Sequence, residues 1–426
     1  MSSPRSVSTD LSFNGKSVNT SLADFLKEVS YTDVASGSSD SLEIILQNIT
    51  MKWLNSWYPK KGDKIKAKMT FLNWLKEGDK LPLSCGSFIL DTINFTGGPL
   101  EAKFEALAIP ASGSFKTTER TKTWKNITIQ NIAKEIAKRY GLKLVYDAPT
   151  IKIAAIEQDK KVDSSFLYDL TKAYGLSMKV YSGKIVIFDK GTYEKKKAVT
   201  TINREDFVDD DWSFNDTLEG TYTGCRISYK SGKKNKEVNV YFGLVKENAK
   251  GSRVLRINEQ CDDANEAKYK GAAQVNAANE QATTISGTIF YNPKVVAGVT
   301  VNIKGLGKAD GKYFVDKVKT TVSDGASTQD VELHKCQKRL SYAVKQPASS
   351  GGTTSNKKYK VGDIVNFHGG KHYVSSYPGA KGYSVGAGKA KITIMNGSGK
   401  AHPYHLVTQN WSKTHVWGWV DKGSFD

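Results

Sequence analysis

The chain has 426 residues and a formal charge of +19, from 62 Lys and Arg against 43 Asp and Glu. With 39% hydrophobic and 25% charged residues, its composition excludes a wholly disordered chain, and its length predicts about two to four domains. The basic excess favours an acidic partner, either nucleic acid, an anionic surface or an acidic protein.

The charge is unevenly distributed along the chain. Residues 1–115 are neutral and residues 201–345 carry +3, whereas residues 116–200 carry +9 and residues 346–426 carry +7. Most of the chain is therefore balanced, which excludes a polycation. The basic segments also lack the interleaving of aromatic and basic residues that is typical of nucleic-acid binding, so we expect no direct nucleic-acid readout.

Residues 1–115 are predicted to form a small antiparallel β structure, a barrel or a sandwich. Some segments alternate polar and apolar residues, and others are rich in β-branched and apolar residues; both patterns are typical of strands. The sequence Gly97-Gly98-Pro99 indicates a hairpin turn. One short helix is expected at residues 22–29. Strands are expected at residues 40–47, 64–69, 86–94 and 100–107.

Residues 116–200 change to a helical period and are predicted to form an inserted α/β domain. Thr128 caps the first helix and Gly141 ends it, and a second helix runs from about residue 164 to Gly175. Each helix ends in a Tyr-Gly-Leu sequence, 34 residues apart, and leads into a strand. We interpret this as a duplicated helix-strand unit, with strands at residues 142–146, 176–181 and 184–188.

Residues 201–345 return to strands and are predicted to form a second β structure. One helix rich in small residues is expected at residues 264–282, packed closely against a sheet or a neighbour. Strands are expected at residues 221–229, 237–242, 286–291, 299–303, 312–320 and 330–334.

Residues 346–356 contain no charged and no large apolar residue, which predicts a flexible linker before a small domain at residues 357–426. That domain holds five of the six histidines and several aromatic residues. Flat rings stack on sugar faces and imidazoles bond to hydroxyls, which makes glycan binding one hypothesis; the alternative is that the tryptophans are partly core and the histidines belong to turns. The candidate contacts are Tyr373, Tyr377, His402, Tyr404, Trp417 and Trp419.

The remaining motifs favour ordinary structural roles. The segment 305–311 resembles a phosphate-binding loop but joins two predicted strands, and residues 397–400 lack the required spacing. His334 and Cys336 share a strand face without a second ligand pair, and the acidic run 209–211 is expected in a solvated loop before a strand. We therefore expect no enzyme, no catalytic residues, no cofactor and no metal site.

Targeting and redox signals are weak. Residues 1–10 lack the apolar core of a signal peptide, and no run approaches the roughly 18 apolar residues that span a bilayer. The four cysteines form no CxxC pair, as is typical of reduced thiols.

Residues 1–345 resemble the central baseplate hub proteins of contractile phage tails and related bacteriocins, the late control protein D family. The order and spacing of four segments carry the resemblance: 57–63 (WYPKKGD), 86–93 (GSFILDTI) with its Gly-Gly-Pro turn, the two helix endings with 166–175 (FLYDLTKAYG), and 295–303 (VVAGVTVNI) followed by 310–315 (DGKYFV). Residues 359–426 resemble bacterial SH3-type modules of cell-wall proteins, through 361–367 (VGDIVNF) and 418–421 (GWVD).

These resemblances imply a mainly β fold with an α/β insert: two hub-type β-barrels, an inserted helix-strand domain and a C-terminal SH3-like barrel. They imply a structural homotrimer whose paired barrels form a ring between tail tube protein and central spike protein, with other baseplate proteins as neighbours. The C-terminal module would bind peptidoglycan or wall polymers or, alternatively, dock on another baseplate protein, and the basic insert would meet an acidic neighbour.

The expected location follows from the same resemblance. The protein would be assembled in the bacterial cytoplasm and then become part of the tail baseplate of an extracellular particle. The alternative is a tail-associated cell-wall hydrolase or a wall-binding lysin accessory, which requires a catalytic domain that neither predicted barrel indicates.

Overall fold

The computed structural model describes residues 4–22, 24–109, 114–231, 236–259, 261, 264–323, 326–341, 359–396 and 400–426. The chain divides into two compact units, Met1–Tyr342 and Ala343–Asp426, called here the body and the C-terminal unit. The predicted linker at 346–356 lies outside the described residues. The finer division of the body into three domains stays a prediction.

The first part of the body is built from antiparallel strands around one apolar core. In β4 every second residue is buried, so that Leu42, Ile44 and Leu46 face that core. The elements are β1 Ser6–Phe13, β2 Lys16–Ser17, α1 Asn19–Leu22, β3 Leu26–Val34, β4 Ser41–Gln47, β5 Lys64–Leu72, β6 Lys80–Gly97 and β7 Leu100–Leu107.

The prediction of a helix at residues 22–29 is wrong. Helix α1 ends at Leu22, and the second half of the segment, residues 26–29, belongs to strand β3. This strand is rich in β-branched and aromatic residues and is paired on both sides, with β4 and with a strand from later in the chain, β20 (Gly311–Ser323). Pairing on both edges outweighs the weak helical pattern.

The insert has the predicted helices and strands. The side chain of Thr128 accepts a hydrogen bond from Asn131 N at 3.1 Å and so caps α3, and both Gly141 and Gly175 end their helices with positive φ. A long ribbon of β8 and β10 was missed by the sequence argument. The elements are α2 Ser114–Thr117, β8 Glu119–Thr128, α3 Ile129–Arg139, β9 Lys143–Asp147, β10 Lys152–Val162, α4 Asp163–Ala173, β11 Ser177–Tyr181, β12 Lys184–Phe188 and α5 Lys190–Lys195.

The last part of the body contains a second strand-lined core and, unexpectedly, a small α/β layer. Helix α6 packs on a three-stranded sheet in the order β16-β15-β17, and small residues on α6 permit this close approach. The elements are β13 Thr201–Asn203, β14 Phe207–Asp216, β15 Gly224–Ser231, β16 Lys236–Gly243, β17 Val254–Asn258, α6 Ala264–Glu280, β18 Thr283–Phe290, β19 Thr300–Lys304, β20 Gly311–Ser323 and β21 Ala326–Lys335.

The fold class, mainly β with an α/β insert, is confirmed. Strand β20 pairs with β19 and β21 of the last part of the body and, through Lys317–Ser323, with Glu28–Val34 of β3 in the first part. The first and last parts, called here the two halves, therefore share one 13-stranded sheet. Each half curls around its own core. Among the described strands, hydrogen bonding does not close either half into a complete barrel.

The C-terminal unit is a six-stranded antiparallel sheet in the order β22-β25-β26-β27-β23-β24. Its core includes Phe367, Ile392, Leu406, Val416 and Val420, all buried. The strands are β22 Ile364–Phe367, β23 Gly370–Tyr373, β24 Gly382–Val385, β25 Gly388–Met395, β26 Tyr404–Thr408 and β27 Trp417–Val420.

Candidate functional site

Trp417 and Trp419 lie on the outward face of the C-terminal sheet. In β27 they alternate with the buried residues Gly418 and Val420. The Trp417 side chain is 59% exposed, whereas Trp419 is partly buried beside the ring of His405, with ring centroids 5.3 Å apart. Because alternate residues of a strand face opposite sides of a sheet, both rings belong to one surface.

Tyr373 and His402 form a stacked pair next to this surface. Their ring centroids are 3.5 Å apart, and Tyr373 pairs with Trp419 across β23 and β27. His402 is buried, and its Nδ1 lies 2.5 Å from Asp421 Oδ1. Desolvation and the Asp421 carboxylate raise the pKa of Tyr373. Tyr373 is the more accessible ring of the pair.

The other two candidate residues, Tyr404 and Tyr377, have surroundings that differ from those of Trp417 and Trp419. Tyr404 packs edge-on against Phe425, with centroids 5.0 Å apart, and belongs to the core side of β26. Tyr377 is exposed, with Lys400 Nζ 3.7 Å from its ring centroid. A hydrogen bond with Lys400 lowers the pKa of Tyr377.

Trp411, which was not predicted as a site residue from the sequence, lies close to Trp417. The two ring centroids are 5.7 Å apart, and the ring centroid of His415 also lies 5.7 Å from that of Trp411. Trp411 is 49% exposed. A lone tryptophan in the polar stretch 409–413 was the available signal, because polar turns rarely carry a large apolar ring without a reason.

The body exposes an apolar segment around residues 49–58. Lys52 Nζ lies 5.0 Å from the ring centroid of Trp57 and covers one face of it. A run of exposed apolar side chains within ten residues is typical of a surface that is covered in an assembly. Its exposed apolar residues are Ile49, Met51, Leu54, Trp57 and Tyr58.

A buried set of ionic groups, the junction cluster, joins the insert to the last part of the body. His334 is at its centre: its Nε2 lies 3.0 Å from Glu194 Oε1 and its Nδ1 lies 2.5 Å from Asp316 Oδ2. Burial by itself lowers the pKa of His334, but the bonds with Asp316 and Glu194 outweigh it and raise the pKa to about 9. The imidazole is therefore a cation at neutral pH. The cluster comprises Lys190, Glu194, Glu280, Asp316, His334 and Arg339.

Two further cations complete the junction cluster. Arg339 donates to Glu194 Oε1 at 2.5 Å and to Glu280 Oε1 at 2.6 Å, and Lys190 Nζ donates to Glu280 Oε2 at 2.8 Å. Glu194, Glu280 and His334 have ligand atoms within 4.8 Å of one another, as in a metal site. Because the guanidinium bonds both glutamates, this set is an ion-pair network.

A second cluster links all three parts of the body through Asp33. Lys179 Nζ of the insert lies 2.6 Å from Asp33 Oδ1, and Ala297 N of the last part donates to Asp33 Oδ2 at 2.9 Å. Lys179 also lies 3.3 Å from Asp40, which accepts a hydrogen bond from Tyr31 at 2.8 Å. Desolvation raises the pKa of Asp40 to about 6 even though Lys179 opposes it.

Cys85, Cys225 and Cys336 form no disulfide and have little nucleophilic character. Burial raises the pKa of Cys85 and of Cys336 to about 12, and that of Cys225 to about 11. Since the thiolate is the nucleophile, these side chains are unreactive at neutral pH.

Two motif interpretations can be compared with the structure. Residues 305–311 join β19 to β20 through a short turn, so the predicted hairpin is confirmed. The acidic run 209–211 lies within β14 at a register shift, not in a loop before a strand, and Arg204 pairs with Asp210 at 3.1 Å. Residues 397–399 lie outside the described part of the chain.

Three solved structures share the fold of this chain. A 43 kDa tail protein of prophage MuSo2 from Shewanella oneidensis matches with a TM-score of 0.57 at 12% identity, over 78% of this chain and 99% of that one. A tail protein from Neisseria meningitidis matches with a TM-score of 0.57 at 11% identity, over 77% and 96%. Prophage tail protein gp18 from Listeria monocytogenes matches with a TM-score of 0.51 at 12% identity, over 78% and 95%.

These likenesses place the chain in the fold class of phage tail proteins. No protein-family model and no curated protein sequence matches it. Among the described helices, none is both long and apolar enough to cross a membrane.

Proposed function

We propose that the protein is a structural baseplate hub, joining the hexameric tail tube to the trimeric spike of a contractile tail or a phage-tail-like bacteriocin. The observation that carries the proposal is the fold match to the Shewanella prophage tail protein, which spans 99% of that chain. The protein is assembled in the cytoplasm and becomes part of an extracellular particle.

The architecture of the body supports a homotrimer. Two curled strand systems with separate cores lie side by side in one sheet. Three chains then supply six such systems around an axis, which suits a six-fold tube on one side and a three-fold spike on the other. The exposed apolar segment at residues 49–58 supports burial against another subunit.

Electron microscopy of purified particles with this chain located tests the hub. We expect three copies on the tail axis between tube protein and spike protein. Six copies, or a position on receptor fibres, would contradict it. Replacing Leu54 and Trp57 by Glu should shift the purified chain from trimer to monomer in light scattering, whereas Glu replacements of the exposed Thr123 and Lys125 should leave the trimer intact.

We propose a non-enzymatic role for the whole chain. The buried ionic groups of the body bond to one another, and the high pKa values of the thiols make them poor nucleophiles. Zymography of the full chain on cell-wall substrate should show no clearing. A clear band would instead favour the alternative, a tail-associated cell-wall hydrolase.

We propose that the C-terminal unit binds the bacterial cell wall through its outward aromatic face. Trp417 and Trp419 on one strand, with Tyr373 beside Trp419, support this role. A pull-down of the full chain on purified Gram-positive walls should retain it, and a chain ending at residue 345 should not be retained. If neither the full chain nor the shortened chain is retained on the walls, the proposal of wall binding is wrong.

A further inference from the structure

The lysines in the described part of the C-terminal unit have no carboxylate partners. Residues 346–426 contain ten lysines and three aspartates. Within 359–396 and 400–426, no lysine Nζ lies within 4.0 Å of a carboxylate oxygen. The cationic groups of this unit are therefore available to an external anion.

All three carboxylates of the unit are engaged by other groups. Asp421 contacts His402, and Asp426 Oδ1 lies 2.9 Å from His368 Nε2. Asp363 accepts a hydrogen bond from the backbone N–H of Lys360 at 2.8 Å. Because no carboxylate neutralises a lysine here, the positive potential of the surface is uncompensated.

Three of these lysines lie either on the sheet face of Trp417 or in the turn that carries Trp411. Lys391 pairs with Val407, and Val407 pairs with Trp417, so Lys391 and Trp417 lie on one face two strands apart. Lys389 lies on the same face of β25 and is exposed like Lys391.

The third lysine belongs to the turn that carries Trp411. Lys413 is exposed and lies two residues after Trp411, whose ring centroid is 5.7 Å from that of Trp417. We call this surface the tryptophan–lysine face; it comprises Lys389, Lys391, Trp411, Lys413 and Trp417.

We propose that the tryptophan–lysine face binds an anionic wall polymer, in which sugars or polyols alternate with phosphate or carboxylate groups. Rings stack on the sugar or polyol units, while the ammonium groups pair with the anionic groups between them. A neutral glycan would use the rings and leave the lysines without a role. This inference rests on the proposed wall binding and names the ligand of that same surface.

The test measures retention of the full chain on purified walls at rising NaCl concentration. We expect about a tenfold loss of affinity between 0.05 and 0.5 M NaCl, because the Debye length falls from more than 10 Å to less than 8 Å. The K389Q/K391Q/K413Q variant should lose about tenfold or more at low salt. The matched control, K360Q/K381Q/K422Q, removes the same charge outside this face and should keep most of the affinity.

The chemical source of the anion is resolved by treating the walls. If hydrofluoric acid, which cleaves phosphodiesters, abolishes retention, the ligand carries phosphate; if retention survives and soluble polyuronate competes, it carries carboxylate. Both results support the proposal. Retention that is insensitive to salt and to the lysine substitutions would overturn it while leaving wall binding intact. No retention on any wall would overturn wall binding itself.

Discussion

The body and the C-terminal unit use positive charge in opposite ways. In the body, the buried cations Lys179, Lys190 and Arg339 each contact two carboxylates. In the described residues of the C-terminal unit, the lysines lack such partners. Charge in the body therefore holds its parts together, whereas charge in the C-terminal unit is available for binding.

This difference has an energetic consequence. A buried ion pair stabilises the folded protein little more than a packed apolar pair would. Removal of one partner, however, leaves an uncompensated charge in a poorly solvated place and destabilises the fold. We therefore expect charge removal to be costly for folding in the body and nearly neutral for folding in the C-terminal unit.

The largest effect is expected at Lys179. Lys179→Met leaves Asp33 and Asp40 without their cation and should lower the free energy of unfolding by about 3–5 kcal/mol. Urea unfolding followed by circular dichroism measures this change.

A matched substitution at the surface provides the control. Lys317 pairs with Glu332 in the same body, but both side chains are largely exposed. Lys317→Met should change the free energy of unfolding by less than about 0.5 kcal/mol. Equal effects at Lys179 and Lys317 would contradict a structural role for the Asp33 cluster.

The next effect is a loss of stability at alkaline pH. The pKa of His334 is raised from 6.5 to about 9 in the folded protein. Protonated His334 therefore stabilises the folded protein by about 3 kcal/mol. This contribution is complete below pH 6.5 and is lost as the pH rises through 9. Burial of the imidazole opposes this stabilisation, and the acids that face the ring, Asp316, Glu194 and Glu280, cause it by outweighing burial.

His334→Gln isolates this titration from all others. The variant should be less stable than the original chain at pH 6.5, and the difference should shrink towards pH 9.5. The measurement is the urea midpoint as a function of pH. A difference that stays constant over this range would show that His334 is not charged in the folded state.

A smaller effect is expected where helix α6 approaches its sheet. A Cβ on Gly271 would lie 2.4 Å from Ile227 Cδ1 and 2.6 Å from Cys225 Sγ. Gly271→Ala should therefore cost about 1–3 kcal/mol through overpacking, although alanine is the better helix former. At the exposed position 277 of the same helix, Ala277→Gly should cost about 1 kcal/mol, by helix propensity alone. A stabilised Gly271→Ala would contradict the close packing.

Local patterns predicted the local structure well. The helix from Ile129 to Arg139, its Thr128 cap and the glycine that follows were readable because a 3.6-residue period and a cap are short-range signals. The alternation of polar and apolar residues at 64–69 likewise identified a strand, β5, with one buried face.

Long-range pairing was not readable in the same way. The partner of β3 on its second edge is β20, almost 300 residues later in the chain, and Lys179 meets Asp33 across 146 residues. Neither contact leaves a local pattern. The tilted contact between Trp411 and Trp417 spans only six residues; it was missed because a turn, not a periodic pattern, brings the two rings together, although Trp417 itself was identified from its strand.

The smallest effect on stability is expected on the tryptophan–lysine face. K389Q/K391Q/K413Q removes three charges that have no carboxylate partner within 4.0 Å among the described residues, so unfolding of the C-terminal unit should change by less than about 0.5 kcal/mol. Removing one charge in the body by Lys190→Gln should cost more, because Glu280 and Asp316 lose a buried cation. Calorimetry of the full chain measures both. If the triple variant destabilised the chain more than Lys190→Gln, the lysines would be structural, and the contrast between the two units would fail.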